Sequence, residues 1–83
     1  MKRGLILIPA YGRSYKSARA AVADFQANKD FIAMDIYHQG YTSKRELQDE
    51  ANKTGDTIFL EFRYGNNLTR VTCITIKPEV QDD

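Results

Sequence analysis

Eighty-three residues with a formal net charge of +1 and a pI of about 7.8 fit one domain and exclude a global field steering the chain to nucleic acid or an acidic membrane. An apolar share of 42% and a charged share of 28% exclude a disordered chain. A single cysteine, Cys73, excludes a disulfide framework and points to a reducing compartment. No apolar run approaches the length of a membrane span.

Gly4 to Pro9 is a short apolar run ended by proline, which predicts a central or doubly buried strand. Met1-Lys2-Arg3 before Leu5-Ile6-Leu7-Ile8 faintly resembles a signal peptide, but Pro9 and Tyr11-Gly12-Arg13 end the run too early for one. A basic, aromatic loop follows, Tyr11-Gly12-Arg13-Ser14-Tyr15-Lys16-Ser17. Ser14 or Ser17 is placed to cap a helix. Ala18, Ala21, Val22 and Phe25 have the i, i+3, i+4, i+7 spacing of an apolar stripe, and Asn28 suits a left-handed stop.

Lys29-Asp30-Phe31 reads as a helix exit with Phe31 as a core anchor; a functional role would need Asp30 to pair with Arg13. Lys29 to Tyr37 alternates in part, with Ile32, Met34 and Ile36 on one side and Phe31, Ala33, Asp35 and Tyr37 on the other, which predicts a strand with one face well buried, and His38-Gln39-Gly40 a turn. Ser43-Lys44-Arg45-Glu46 is a capping box opening a helix to about Thr54, with Gly55 as its C′ residue. Its stripe is thin, Leu47 and Ala51, which puts it on the rim. Its Arg45–Asp49 and Asp49–Lys53 spacings suit a solvated, self-supporting face.

A hairpin closes the chain: Ile58 to Tyr64, a Gly65-Asn66-Asn67 turn, then Leu68 to Ile76. In that last strand Val71 and Cys73 share one parity, and Ile74 and Ile76 the other. Either both faces are covered or a bulge shifts the register. Pro78 ends the strand, and about 79–83 forms a frayed acidic tail. The order is β-α-β-α-β-β: an α+β single domain over 1–83, a four-stranded mixed sheet with both helices on one face. If the first two strands are neighbours, their crossover should be right-handed and parallel.

The loop from Tyr11 to Ser17 is the leading candidate site. It precedes a helix N-terminus, where free amides and the macrodipole favour anions. Arg13 could grip a phosphate in bidentate fashion, Lys16 could add a point charge, and Tyr11 and Tyr15 could stack on bases. The loop lacks P-loop spacing. The structural alternative is a connection whose tyrosines cover the sheet edge. Tyr37 and Tyr41 are further contact anchors. His38 is expected at the surface and Cys73 in the core, with no triad, zinc or paired-carboxylate pattern. No cofactor, metal or enzymatic activity is expected.

Pro9-Ala10-Tyr11-Gly12-Arg13-Ser14-Tyr15-Lys16-Ser17, Asn28-Lys29-Asp30-Phe31 and Arg63-Tyr64 together resemble a family of small proteins encoded in the early or accessory regions of tailed bacteriophages. That family often has aspartate where this chain has Ser14, and glycine where it has Asn28. The resemblance implies a phage origin and work inside an infected bacterium; together with the absent catalytic set, the small size and the balanced charge, it leads to the expectation of a non-enzymatic cytoplasmic protein that binds and modulates a host protein such as an immune or defence component. The alternative is a nucleic-acid or nucleotide binder using Tyr11, Arg13, Tyr15, Lys16 and Ser17. Neither reading involves a membrane. A homodimer through an exposed last strand is a further expectation.

Overall fold

A computed structural model describes residues 5–79. The elements are β1 (Leu5–Pro9), α1 (Ala18–Ala27), β2 (Ile32–Asp35), β3 (Gly40–Ser43), α2 (Lys44–Thr54), β4 (Ile58–Tyr64) and β5 (Arg70–Ile76), with a 3₁₀ turn at Asn66–Leu68. The α+β class is as expected, but the sheet has five strands, in the order β3-β2-β1-β4-β5. The extra strand is Gly40–Ser43. It has no apolar run to announce it and forms because β2 offers a free edge, pairing Met34 with Tyr41 and Ile32 with Ser43.

The first two strands are neighbours, yet antiparallel, which corrects the expected parallel crossover. The loop before α1 explains it. The Gly65 N–H donates to the Tyr15 carbonyl at 3.0 Å, so the loop has already travelled to the end of β4. Helix α1 then runs back over the sheet, and its end is held by Lys44 at the start of α2. The chain therefore re-enters beside β1 at the end it left. The parallel pair is β1 with β4.

Leu5 and Leu7 from β1, Ala33 from β2, Ile58, Leu60 and Phe62 from β4, and Ile74 and Ile76 from β5 face one way. They form a single core with Ala21 and Phe25 of α1 and Leu47 and Ala51 of α2. Both helices thus cover one face. Leu47 is 2% exposed and Ala51 0%, so α2 is packed through its thin stripe rather than riding on the rim. Burial of this kind is worth about 1.5–3 kcal/mol for each large side chain. Phe25, Phe31 and Phe62 meet edge-on or tilted, with centroids 5.1 and 5.4 Å apart.

The helix ends show which signals were used. Ser17, not Ser14, caps α1 by accepting the Ala20 N–H, and Ser43 caps α2 by accepting that of Glu46. Gly55 is left-handed, with φ 77°. Asn28 is not: it is extended, with φ −104°, and its side-chain oxygen accepts the Asp30 N–H. Arg45 reaches Asp30 at 3.5 Å rather than pairing along its own helix. The pairing of β4 with β5 is continuous from Ile58–Ile76 to Tyr64–Arg70, so no bulge shifts the parity. Cys73 is exposed on an edge strand, which corrects its expected place in the core. Glu79 is tied to Asn52 in both directions; residues 80–83 of the expected frayed tail, and Gly4, lie outside the described residues.

Candidate functional site

The Tyr11–Ser17 loop divides into an inward and an outward half. A turn from Ala10 to Arg13 opens it, closed by the Arg13 N–H on the Ala10 carbonyl. Its two central residues, Tyr11 (φ 56°) and Gly12 (φ 75°), both lie in the left-handed region, as the mirror-image tight turns require. Glycine adopts that conformation freely; a tyrosine there is strained, at a cost of about 1 kcal/mol or more. In this turn the Tyr11 ring stacks on Tyr41 of β3, the two planes nearly parallel at 5° with centroids 6.1 Å apart. Both rings remain open to solvent, Tyr11 at 77% and Tyr41 at 61% exposure.

Arg13 and Tyr15 turn the other way and converge on Asp24 of α1. The Arg13 guanidinium lies 3.3 Å from Asp24 Oδ2 and sits over the Phe31 ring at 5.2 Å. The Tyr15 hydroxyl donates to the same carboxylate oxygen, and its ring packs against Phe62. Burial pushes the Tyr15 phenol up to about 12; the hydrogen bond to Asp24 adds to this, against the opposing pull of Arg13. Arg13 and Tyr15 therefore fasten the loop to the helix it precedes. Asp30 does not hold Arg13; Asp24 does. Sequence reasoning passed over Asp24, although it is the one acid in α1.

Lys16 is exposed. It lies with Ser14, Tyr15, Gly65, Asn66, Thr69 and Arg70 around an open cleft of about 580 Å³, so the loop's cation is joined by Arg70 from β5. The Ser17 hydroxyl is used as the α1 cap. Tyr37, 62% exposed, stands in the β2–β3 turn, at the opposite end of the strands from Tyr11. The structure thus brings Tyr11 together with Tyr41, and separates this pair from Tyr37 and from the Arg13–Tyr15 contacts.

Two further polar arrangements lay outside the expected site. Asp35, 5% exposed, accepts the N–H groups of Tyr37 and His38 on Oδ1, while Oδ2 is 2.7 Å from His38 Nδ1. Burial raises its pKa, but the His38 ring and the two amides outweigh that and hold the carboxyl below its ordinary value. Lys44 donates to the Phe25 and Gln26 carbonyls at 2.7 and 2.9 Å and lies 5.3 Å from the Phe25 ring centre. Among the described residues no group of His, Cys, Asp and Glu is placed to hold a metal ion, and no helix is long and apolar enough to cross a membrane.

The sheet's second face is the largest feature that the sequence left undecided. Strand alternation turns Ile6, Ile8, Ile32, Met34 and Tyr41 away from the helices, together with Glu61, Arg63, Val71 and Cys73. Both described helices pack on the other side. Tyr11 and Tyr41 mark one border of this open face. No protein-family model, curated protein or solved structure matches the chain.

Proposed function

We propose that the chain is a non-enzymatic accessory protein of a tailed bacteriophage that binds and modulates a host bacterial protein in the infected cell's cytoplasm. The observation that carries this reading is the Tyr11–Tyr41 pair. An aromatic side chain held at a strained backbone position and left 77% exposed earns nothing from the core, and strain of this kind clusters at functional positions. Tyrosines are also favoured anchors in protein interfaces. The phage-like motifs around this loop supply the biological setting.

Affinity capture from bacterial lysate tests it, comparing the native chain with Tyr11→Ala plus Tyr41→Ala. These changes leave the Arg13–Tyr15–Asp24 contacts in place, so the variant should stay folded and lose its partner. Recovery of no stoichiometric partner, or equal recovery by the folded variant, would sink the proposal.

A second reading is favoured by the cleft beside the loop, where Lys16 and Arg70 flank Ser14, Asn66 and Thr69. Two cations with hydroxyl and amide groups suit a phosphate, so this cleft supports a nucleic-acid or nucleotide binder. Binding of single-stranded oligonucleotide should then weaken steeply with salt and vanish in Lys16→Glu plus Arg70→Glu. Each alternative has its own variant, so the two are separable.

A further inference from the structure

The open face carries an internal pattern of apolar and charged positions. One row across the strands is Ile36, Ile6, Glu61 and Cys73, fixed by the Ile36 N–H on the Ile6 carbonyl and by the pairs Ile6–Glu61 and Glu61–Cys73. The next row is Met34, Ile8, Arg63 and Val71, from the pairs Ile8–Met34 and Arg63–Val71; Ile8 stands one step beyond Leu7–Phe62, level with Arg63. Each row is apolar except at β4, where one carries an anion and the other a cation.

We propose that this face is covered by a second copy of the same chain, in a twofold dimer. Its axis lies between the two sheets, at right angles to the strands, and passes between these rows. That operation keeps each strand over its own counterpart and exchanges the rows. Ile6 then meets the other copy's Ile8, Ile36 meets Met34, and Cys73 meets Val71. Glu61 meets Arg63, twice. A self-complementary patch of this sort is what an isologous interface demands.

The state of the charges fits. Among the described residues Glu61 has no ion-pair partner within its own chain, and Arg63 makes one long contact, 3.5 Å from its Nη1 to the Leu68 carbonyl. Covering the face with an apolar helix would strand both charges; a second copy satisfies both. Size fits as well. The four strands of these rows, about 4.8 Å apart, and five residues of about 3.4 Å give each face about 330 Å² in projection. With side-chain relief the two copies together remove on the order of 1,000 Å², about the least that a specific interface clears. Face-to-face sheets at about 10 Å separation accommodate these side chains. The first row has no β3 member, so Tyr41 stays at the rim and the host-binding proposal stands or falls separately.

Sedimentation equilibrium on the full chain, from micromolar to submillimolar concentration, is the test. The native chain should reach twice its 9.5 kDa mass. Glu61→Arg and Arg63→Glu, each confirmed folded by circular dichroism, should each weaken association by about a hundredfold, since like charges would face each other twice. The double variant Glu61→Arg plus Arg63→Glu should restore it, because the pattern is again self-complementary. A chain monomeric throughout overturns the proposal. So does a dimer indifferent to Glu61→Arg, which would instead pair through the β5 edge, and so does a folded double variant that fails to reassociate.

Discussion

Lys44 Nζ lies 2.7 Å from the carbonyl oxygen of Phe25, so the first residue of α2 closes the last turn of α1. The final carbonyls of a helix have no partner within it. Here a cation from the next helix supplies one, in the place of a left-handed residue at Asn28. Lys44→Met keeps the stem and removes the donors and charge. It should cost about 1–2 kcal/mol and lower the thermal midpoint by about 5–15 °C. Lys53→Met, on an exposed lysine of the same helix, should move stability by less than about 0.5 kcal/mol. Equal effects in thermal unfolding would show that Lys44 does no more than a surface charge.

The Tyr15 phenol should report the loop's attachment. Its pKa in the folded chain is raised from 10.0 to about 12, so the fold favours the protonated form. That contribution is complete below about pH 10 and is lost as pH rises through about 12. Ultraviolet titration should therefore contain a late tyrosinate component that Tyr15→Phe removes. Asp24→Asn should move this component downward without abolishing the shift, because burial is the larger cause. A titration unchanged in Tyr15→Phe would refute the assignment.

How much was legible follows from which forces are local. Ser43 and Gly55 act on their own helices, as does the serine cap of α1, left between Ser14 and Ser17 and found at Ser17, and Phe31 and the Ala21–Phe25 stripe declare their burial by spacing. These were readable. Strand β3 was not, since Gly40–Ser43 is extended only because β2 lies beside it. Nor was the direction of β2, which depends on the distant bond between Gly65 and Tyr15. The loop was found as a feature, but not its division. That Arg13 and Tyr15 are drawn inward depends on Asp24, an acid on a later helical turn, and that Tyr11 points outward depends on a positive φ. The parity of Val71 and Cys73 was visible, yet only the placement of both helices on one side reveals that they face an open surface.

Gly55 tests a local rule in isolation. Its φ is 77°, and a Cβ built there meets no atom within 4 Å. Gly55→Ala therefore introduces backbone strain without a clash. The expected loss is about 1 kcal/mol, visible in urea as a lower midpoint with an unchanged slope. A neutral result would mean that the end of α2 can relax into another conformation.

Asp35 makes the fold sensitive to acid. The carboxylate is buried and holds the β2–β3 turn through two amides and the His38 ring. Because its pKa in the folded chain is below the ordinary 3.8, folding favours the charged form. The stability it contributes is present above about 3.8 and is lost as pH falls through the lower folded value. Asp35→Asn keeps one amide-accepting oxygen but gives up the charge. It should cost about 1–3 kcal/mol at neutral pH, and the gap to the native chain should narrow as the solution is acidified below pH 3.8. His38→Ala separates the contributions, since it leaves both amide bonds and removes only the ring: it should be milder than Asp35→Asn. Denaturant midpoints measured across this acid range decide it, and a gap that stays constant with pH would exclude Asp35 as an acid-labile support of the turn.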